Sequence, residues 1–253
     1  MRSSNPVLTR LTPERPATAG QPAYPGTGYS TALATDRMTI DDVVVRTVGL
    51  LALTAVAGAA AWILIPEAYA GAAWIGAAIV GVVLGLVITL ARLTNPLLIA
   101  AYAVVEGVFV GMVSRFYESA FQGIILQAAV GTFGVFLLMA VLYRFQVIRA
   151  TPRFVRGVIG ATFGIFAIIL VNWLLSIFGV NTGLRDGSGL AIVFSLVVIT
   201  VAALNFILDF NLIEEAVRAG APRQFAWLCA VGILIGLIWV YIEILRLLSY
   251  LRR

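Results

Sequence analysis

Three carboxylic acids stand inside apolar runs of this 253-residue chain: Glu106 in YAVVEGVFVG, Asp209 in LNFILDFNLIEE and Glu243 in WVYIEILRLL. An ionised acid in hydrocarbon costs at least about 2.5 kcal/mol on insertion scales, so each must be protonated, paired or turned toward water. Carboxylate oxygens suit protons and hard cations such as Ca²⁺. Two carboxylates held close in a low dielectric drive one pKa toward neutrality, which would make a proton-operated switch. No other residue type competes for that role, because the chain has no His and all 17 basic residues are Arg. Histidine switches, histidine metal ligands and lysine Schiff bases are thereby excluded. Cys229 is the single cysteine and lies in an apolar run, where it is expected to pack as a small hydrophobe. The sequence carries no phosphate-binding loop, no nucleophile triad, no zinc spacing and no Gly-x-Gly-Asp signature of an intramembrane aspartyl protease, so no enzyme and no resident cofactor are expected.

The elements that hold these acids are membrane spans. The chain is 61% hydrophobic and 11% charged, with a mean hydropathy of +1.02, against roughly 25% charged residues in soluble domains. Charges punctuate apolar stretches long enough for the roughly 20 residues that a helix needs to cross hydrocarbon. Seven spans are predicted, at 43–65, 71–91, 96–114, 123–143, 155–179, 189–210 and 225–250. Breakers separate them, among them Pro66, Asn95-Pro96, Gly123, Pro152 and the segments NTGLRDGSG and GAPR. The runs are continuous rather than alternating, which argues against a membrane barrel. An all-α seven-helix membrane bundle follows, covering 39–253.

Residues 1–38 are rich in Pro, Gly, Ser and Thr and carry few core-forming side chains, so a disordered tail is expected there. It lacks the apolar stretch of a secretory signal, and insertion through the first span is expected. Twelve arginines fall on the tail side of the bilayer and five on the other if the N-terminus is cytoplasmic, which is the orientation the positive-inside rule favours. A plasma-membrane location with the lipid bilayer as environment is expected. The scattered arginines form no basic patch, so no nucleic-acid partner is expected. Gly71, Gly76, Gly81 and Gly85 lie along the second span and read first as ordinary small-residue packing. No internal repeat of the inverted-transporter kind is evident.

Glu106 lies fourteen residues after Arg92 and nine before Arg115, well inside its span under any boundary. Asp209 and Glu243 admit a second reading, as charges marking where their helices leave the bilayer. Arg246 follows Glu243 by one turn, so a local ion pair is the simple expectation for that acid.

At LDFNLIEE and VYIEI the sequence resembles the Bax inhibitor-1, or transmembrane Bax inhibitor motif, family. Its Tyr/Leu-Asp-x-x-x-Ile pattern is matched by Leu208, Asp209 and Ile213, and its Leu-Tyr-Leu-Asp-like pattern by Val240, Tyr241, Ile242 and Glu243. LLIAAYAVVEGVFVG and VLYRFQVIRATPRF add to the likeness, which covers about 37–251 and is closest in style to an actinobacterial branch. The resemblance implies seven helices with the last one central, and a pH-sensitive calcium leak governed by two facing carboxylates, carried over to Asp209 and Glu243. It further implies an arginine latch, for which Arg92 is the nearby candidate. Two departures stand out: Glu replaces Asp at 243, and the two acids lie 34 residues apart, more than the pattern leads one to expect.

That interval sets a geometric choice. If the last span starts at Phe225, Glu243 lies about 27 Å along it at 1.5 Å per residue, and the acids cannot touch. If 222–231 lies along the interface and the chain bends at Gly232, Glu243 falls mid-span and they can pair. The resemblance favours the second arrangement. The leading expectation is a passive cation path, for Ca²⁺ bound weakly and transiently, lined by Asp209, Glu243 and Glu106, with protons as the switch. The alternatives are a regulatory protein acting on a partner such as a membrane protease without ion flux, and a proton-coupled transporter with Glu106 as relay.

Overall fold

The computed structural model describes residues 37–180 and 182–252. Seven helices occupy them: α1 (Ile40–Leu64), α2 (Glu67–Leu90), α3 (Pro96–Ala120), α4 (Ile124–Arg144), α5 (Pro152–Ile177), α6 (Gly189–Arg218) and α7 (Phe225–Leu251). All seven are long and apolar enough to cross a membrane. The chain is a seven-helix, multi-pass membrane protein. The tail expected over 1–38 lies outside the described residues except for its last two, and Met38 is buried in the core.

Side chains fix several starts. Thr39 and Asp42 form a capping box on α1, Asn95 accepts from the Leu97 amide ahead of Pro96, and Thr151 accepts from the Phe154 amide ahead of Pro152. In each case an orphan N–H of the first turn is satisfied. Proline follows the cap at α3 and α5, where its missing N–H is harmless.

The last helix is the hub. α7 packs against α1, α3, α4 and α6, whereas α2 lies against α3 and α5 chiefly against α6. Its buried residues, from Ala226 and Cys229 through Leu234 and Val240 to Leu245, cover about two thirds of the helix circumference. Two expectations for the seam helices change, although the seventh span begins at Phe225 as predicted. The sixth helix runs eight residues past 210, because side chains beyond Asp209 pair along its surface: Asn211 donates to Glu215 at 2.8 Å and Arg218 bonds Glu214. The seventh starts at Phe225 and is continuous through Gly232, so the bend and the interfacial segment over 222–231 do not occur. Ala226, Cys229, Ala230 and Val231 are already in the core, and an interfacial segment could not bury them.

Contact between α1 and α3 is close enough for backbones to touch. A Cβ built on Gly107 would meet the Thr54 carbonyl oxygen at 2.5 Å, and one on Gly111 would strike the backbone of Gly58. Thr54 bridges the same seam, its hydroxyl donating to the Ala103 carbonyl at 3.2 Å. At the start of α1, Arg37 pairs with Pro222 in an antiparallel bridge, the Met38 amide donates to the Ala221 carbonyl, and Arg223 Nε donates to Asp42 at 2.8 Å. Arg46 donates to the Arg223 carbonyl and lies over the Trp227 ring at 5.2 Å. The entry to the bundle is thus clamped to the α6–α7 turn.

Gly107→Ala should lower stability by about 1–3 kcal/mol through overpacking, whereas Gly134→Ala, with open space at its Cβ, should not. Thermal unfolding of both variants in one detergent checks this; equal behaviour would refute the close α1–α3 contact.

Candidate functional site

The α6–α7 seam carries two of the three acids, and three contacts fix its register. Ser195 on α6 donates to Glu243 Oε1 on α7 at 2.9 Å. A Cβ on Gly236 would meet the Phe206 ring at 2.8 Å, and one on Gly232 would lie 3.6 Å from Asp209 Oδ1. Numbers rise on one helix as they fall on the other, the signature of an antiparallel pair in fixed register. Gly232 precedes Glu243 by eleven residues, about 17 Å of helix axis at 1.5 Å per residue. Asp209 and Glu243 therefore sit at opposite ends of the seam. The facing pair implied by the resemblance does not form, because α7 is one continuous helix from Phe225, and the two acids cannot hold one ion between them.

Glu243 is a paired charge. It is 2% exposed, accepts from Ser195, and binds Arg246 Nη1 through Oε2 at 2.5 Å. The one-turn ion pair anticipated from spacing is present. Arg185, in the α5–α6 connection, adds a second cation facing the pair. Burial first, and the Arg246 charge second, hold the Arg185 guanidinium below its ordinary value. The Tyr250 hydroxyl donates to the Arg185 carbonyl at 3.3 Å, so the end of α7 is stitched to that connection.

Asp209 differs in kind. It is half-buried, it lies over Gly232 and beside Cys229, and no hydrogen bond or ion pair reaches it among the described residues. It does not stand at a helix end, since α6 continues to Arg218. An aromatic wall of Phe136, Phe206, Phe210 and Tyr143 packs alongside, with Phe206 and Phe136 edge to face at 5.1 Å. One further polar group, the buried Thr47 hydroxyl of α1, likewise has no partner among the described residues.

Glu106 occupies a separate place. Its partner is the Tyr102 hydroxyl one turn earlier on α3, and both side chains lie on the glycines of α2. A Cβ on Gly81 would come within 2.9 Å of Glu106 Oε1, and one on Gly85 within 3.3 Å of the Tyr102 ring. The four-residue spacing of Gly81 and Gly85 matches that of Tyr102 and Glu106, so these two glycines are a cradle for a polar pair, while Gly71 and Gly76 meet nothing. No hydrogen bond or ion pair joins any two of Glu106, Asp209 and Glu243. No group of three or more acidic, His or Cys side chains among the described residues could hold a metal. Arg92 is exposed just past α2, in the left-handed region with φ 50°, and makes no ion pair among the described residues, so no arginine latch is engaged there.

Sequence reasoning did not single out Ser195, Arg185 or the Ser114–Tyr241 hydroxyl pair at 2.8 Å. Only the Tyr102–Glu106 couple had a usable signal, its one-turn spacing.

Removing Arg246 alone strands a buried carboxylate. Arg246→Ala should cost about 3–5 kcal/mol, and adding Glu243→Gln to it should recover part of that loss. A thermal-unfolding double-mutant cycle measures the coupling, and additive losses would show that the pair is not coupled.

No curated protein matches the chain. A family model described as Bax inhibitor 1 like matches residues 5–253 and so takes in the tail that the sequence pattern left outside the likeness. With nearly its whole length matched, the chain belongs to the Bax inhibitor 1 like family.

Proposed function

We propose that this protein is a passive, proton-controlled cation leak of the cell membrane, with Ca²⁺ as the favoured ion and Asp209 as its ion- and proton-binding group. The observation that carries this reading is the unpartnered Asp209 carboxylate within a membrane-spanning helix. A side chain so placed must take up a proton, a cation or water. It is partly accessible, and its neighbours on α7 are Gly232 and Cys229, so no fixed positive charge competes with a mobile one. One carboxylate oxygen pair is too little for a tight Ca²⁺ site, and the brief occupancy that results is what conduction needs.

Glu243 takes a different part from the one the resemblance gave it. Held by Ser195 and Arg246 at the other end of the same seam, it closes that end, and loosening this knot is the step that opens the path. Nine of the thirteen described arginines lie on the face where α1 begins, which supports a cytoplasmic N-terminus. Asp209, near the start of α7, then faces the cytoplasmic half.

Protonation removes the charge that attracts the cation, so flux should fall as the medium is acidified. Ca²⁺ entry into liposomes holding the purified protein, followed between about pH 5 and 8, a range that spans ordinary and burial-raised carboxyl pKa values, tests this. Asp209→Asn should lower flux at every pH and abolish its pH dependence. Glu243→Gln should raise flux and leave the pH dependence in place. A wild-type pH response in Asp209→Asn, or no flux above that of empty liposomes, overturns the reading.

A further inference from the structure

A cavity of about 520 Å³ opens between α1 and α4, floored by α3 and α7. Its walls are almost wholly apolar, with Leu51, Ile63, Phe133 and Ile238 among them. The four hydroxyls that reach it are already satisfied: Ser114 and Tyr241 bond each other at 2.8 Å, Thr54 donates to the Ala103 carbonyl, and Thr132 donates to the Ala128 carbonyl. A cavity with no polar group left to serve does not hold water or an ion well. It favours hydrocarbon.

Dimensions narrow the occupant. Along α1 the lining runs from Leu51 to Ile63, twelve residues, or about 18 Å at 1.5 Å per residue. One leaflet of a hydrocarbon core about 30 Å thick is about 15 Å deep. The upper end reaches Trp62, the kind of side chain that marks a membrane interface, and α1 ends two residues later at Leu64. The trough therefore runs from the surface to the midplane.

A cation is held beside the Trp62 end of the trough, outside the lining itself. Arg115 follows the lining residue Ser114 and donates to the carbonyls of Trp62 and Ile65, the latter at 2.8 Å. Its acidic neighbour Glu67 is distant, at 3.7 Å, and 89% exposed on its side chain. That is a weak surface contact, which a phosphate could replace.

We propose that this cavity is a phospholipid site, taking one acyl chain between α1 and α4 with the headgroup phosphate on Arg115, and preferring an anionic lipid. The site is independent of the ion path: it shares no residue with Asp209 or Glu243. A lipid seated there would fill the gap between α1 and α4 and hold α7 from a side that no helix covers.

The test uses the full-length protein in nanodiscs and in mild detergent. Native mass spectrometry of the wild type should retain one phospholipid, and the paired filling substitutions Ala59→Phe and Ala129→Phe should lose it; equal retention overturns the proposal. Phosphatidylglycerol brominated on its chain should quench a component of tryptophan emission that disappears in Trp62→Phe, a readout that does not depend on the filled variant folding. Quenching that is identical in Trp62→Phe also overturns it. Arg115→Gln should keep the chain bound but abolish the preference for phosphatidylglycerol over phosphatidylcholine. An unchanged preference would remove the phosphate contact and overturn the headgroup assignment.

Discussion

The antiparallel register of α6 on α7 is the constraint from which the rest follows. Ser195 meets Glu243, Phe206 meets Gly236 and Asp209 meets Gly232. A slide of one turn toward the end of α7 would drive the Phe206 ring into Val240 in place of Gly236, and a slide either way would pull Glu243 from its hydroxyl. The register decides that one carboxylate is neutralised and the other is not, and so divides the seam into a sealed end and a receptive end. Because α7 also touches α1, α3 and α4, the same alignment places Tyr241 on Ser114 and sets the floor of the lipid-facing cavity.

Polar groups in this bundle are settled locally. Thr54, Thr132 and Thr200 bond backbone carbonyls, and Asn205 bonds both Thr162 and the Val201 carbonyl. In hydrocarbon such groups find nothing else to bond, so helices close on one another around them. Asp209 departs from this habit, and a departure from local satisfaction is where function is expected.

The seven spans were legible in the sequence because hydropathy is a property of single residues summed over a window. So was the Glu243–Arg246 pair, which depends only on one helical turn. What Asp209 faces on α7 was not legible. It depends on how one helix is phased against another, and neither spacing nor composition encodes that phase. The continuity of α7 was also misread, because the apolar FAWLCAV segment suits a membrane interface and a buried core equally well by composition. The alanines and cysteine of that segment fit only a crowded core, and that crowding exists only once α1 and α6 are in place. The glycines of α2 were half legible: all four looked alike, and only the positions of Tyr102 and Glu106 on α3 separate the two that carry a polar pair from the two that face open space.

The centrality of α7 has a consequence for biosynthesis. A chain emerges from the ribosome N-terminus first, so the helix around which the others pack is the last to be made. Until it arrives, α1, α3, α4 and α6 surround a slot that only lipid can occupy. Ser114 and Ser195 wait there without the Tyr241 and Glu243 groups that satisfy them. The clamp between Arg37 and Pro222 closes the loop leading into α7 onto the beginning of the chain. The bundle therefore closes only after its six other helices have been made. A chain that stops before Phe225 has neither Tyr241 nor Glu243, and the hydroxyls of Ser114 and Ser195 lose the partners that α7 brings them.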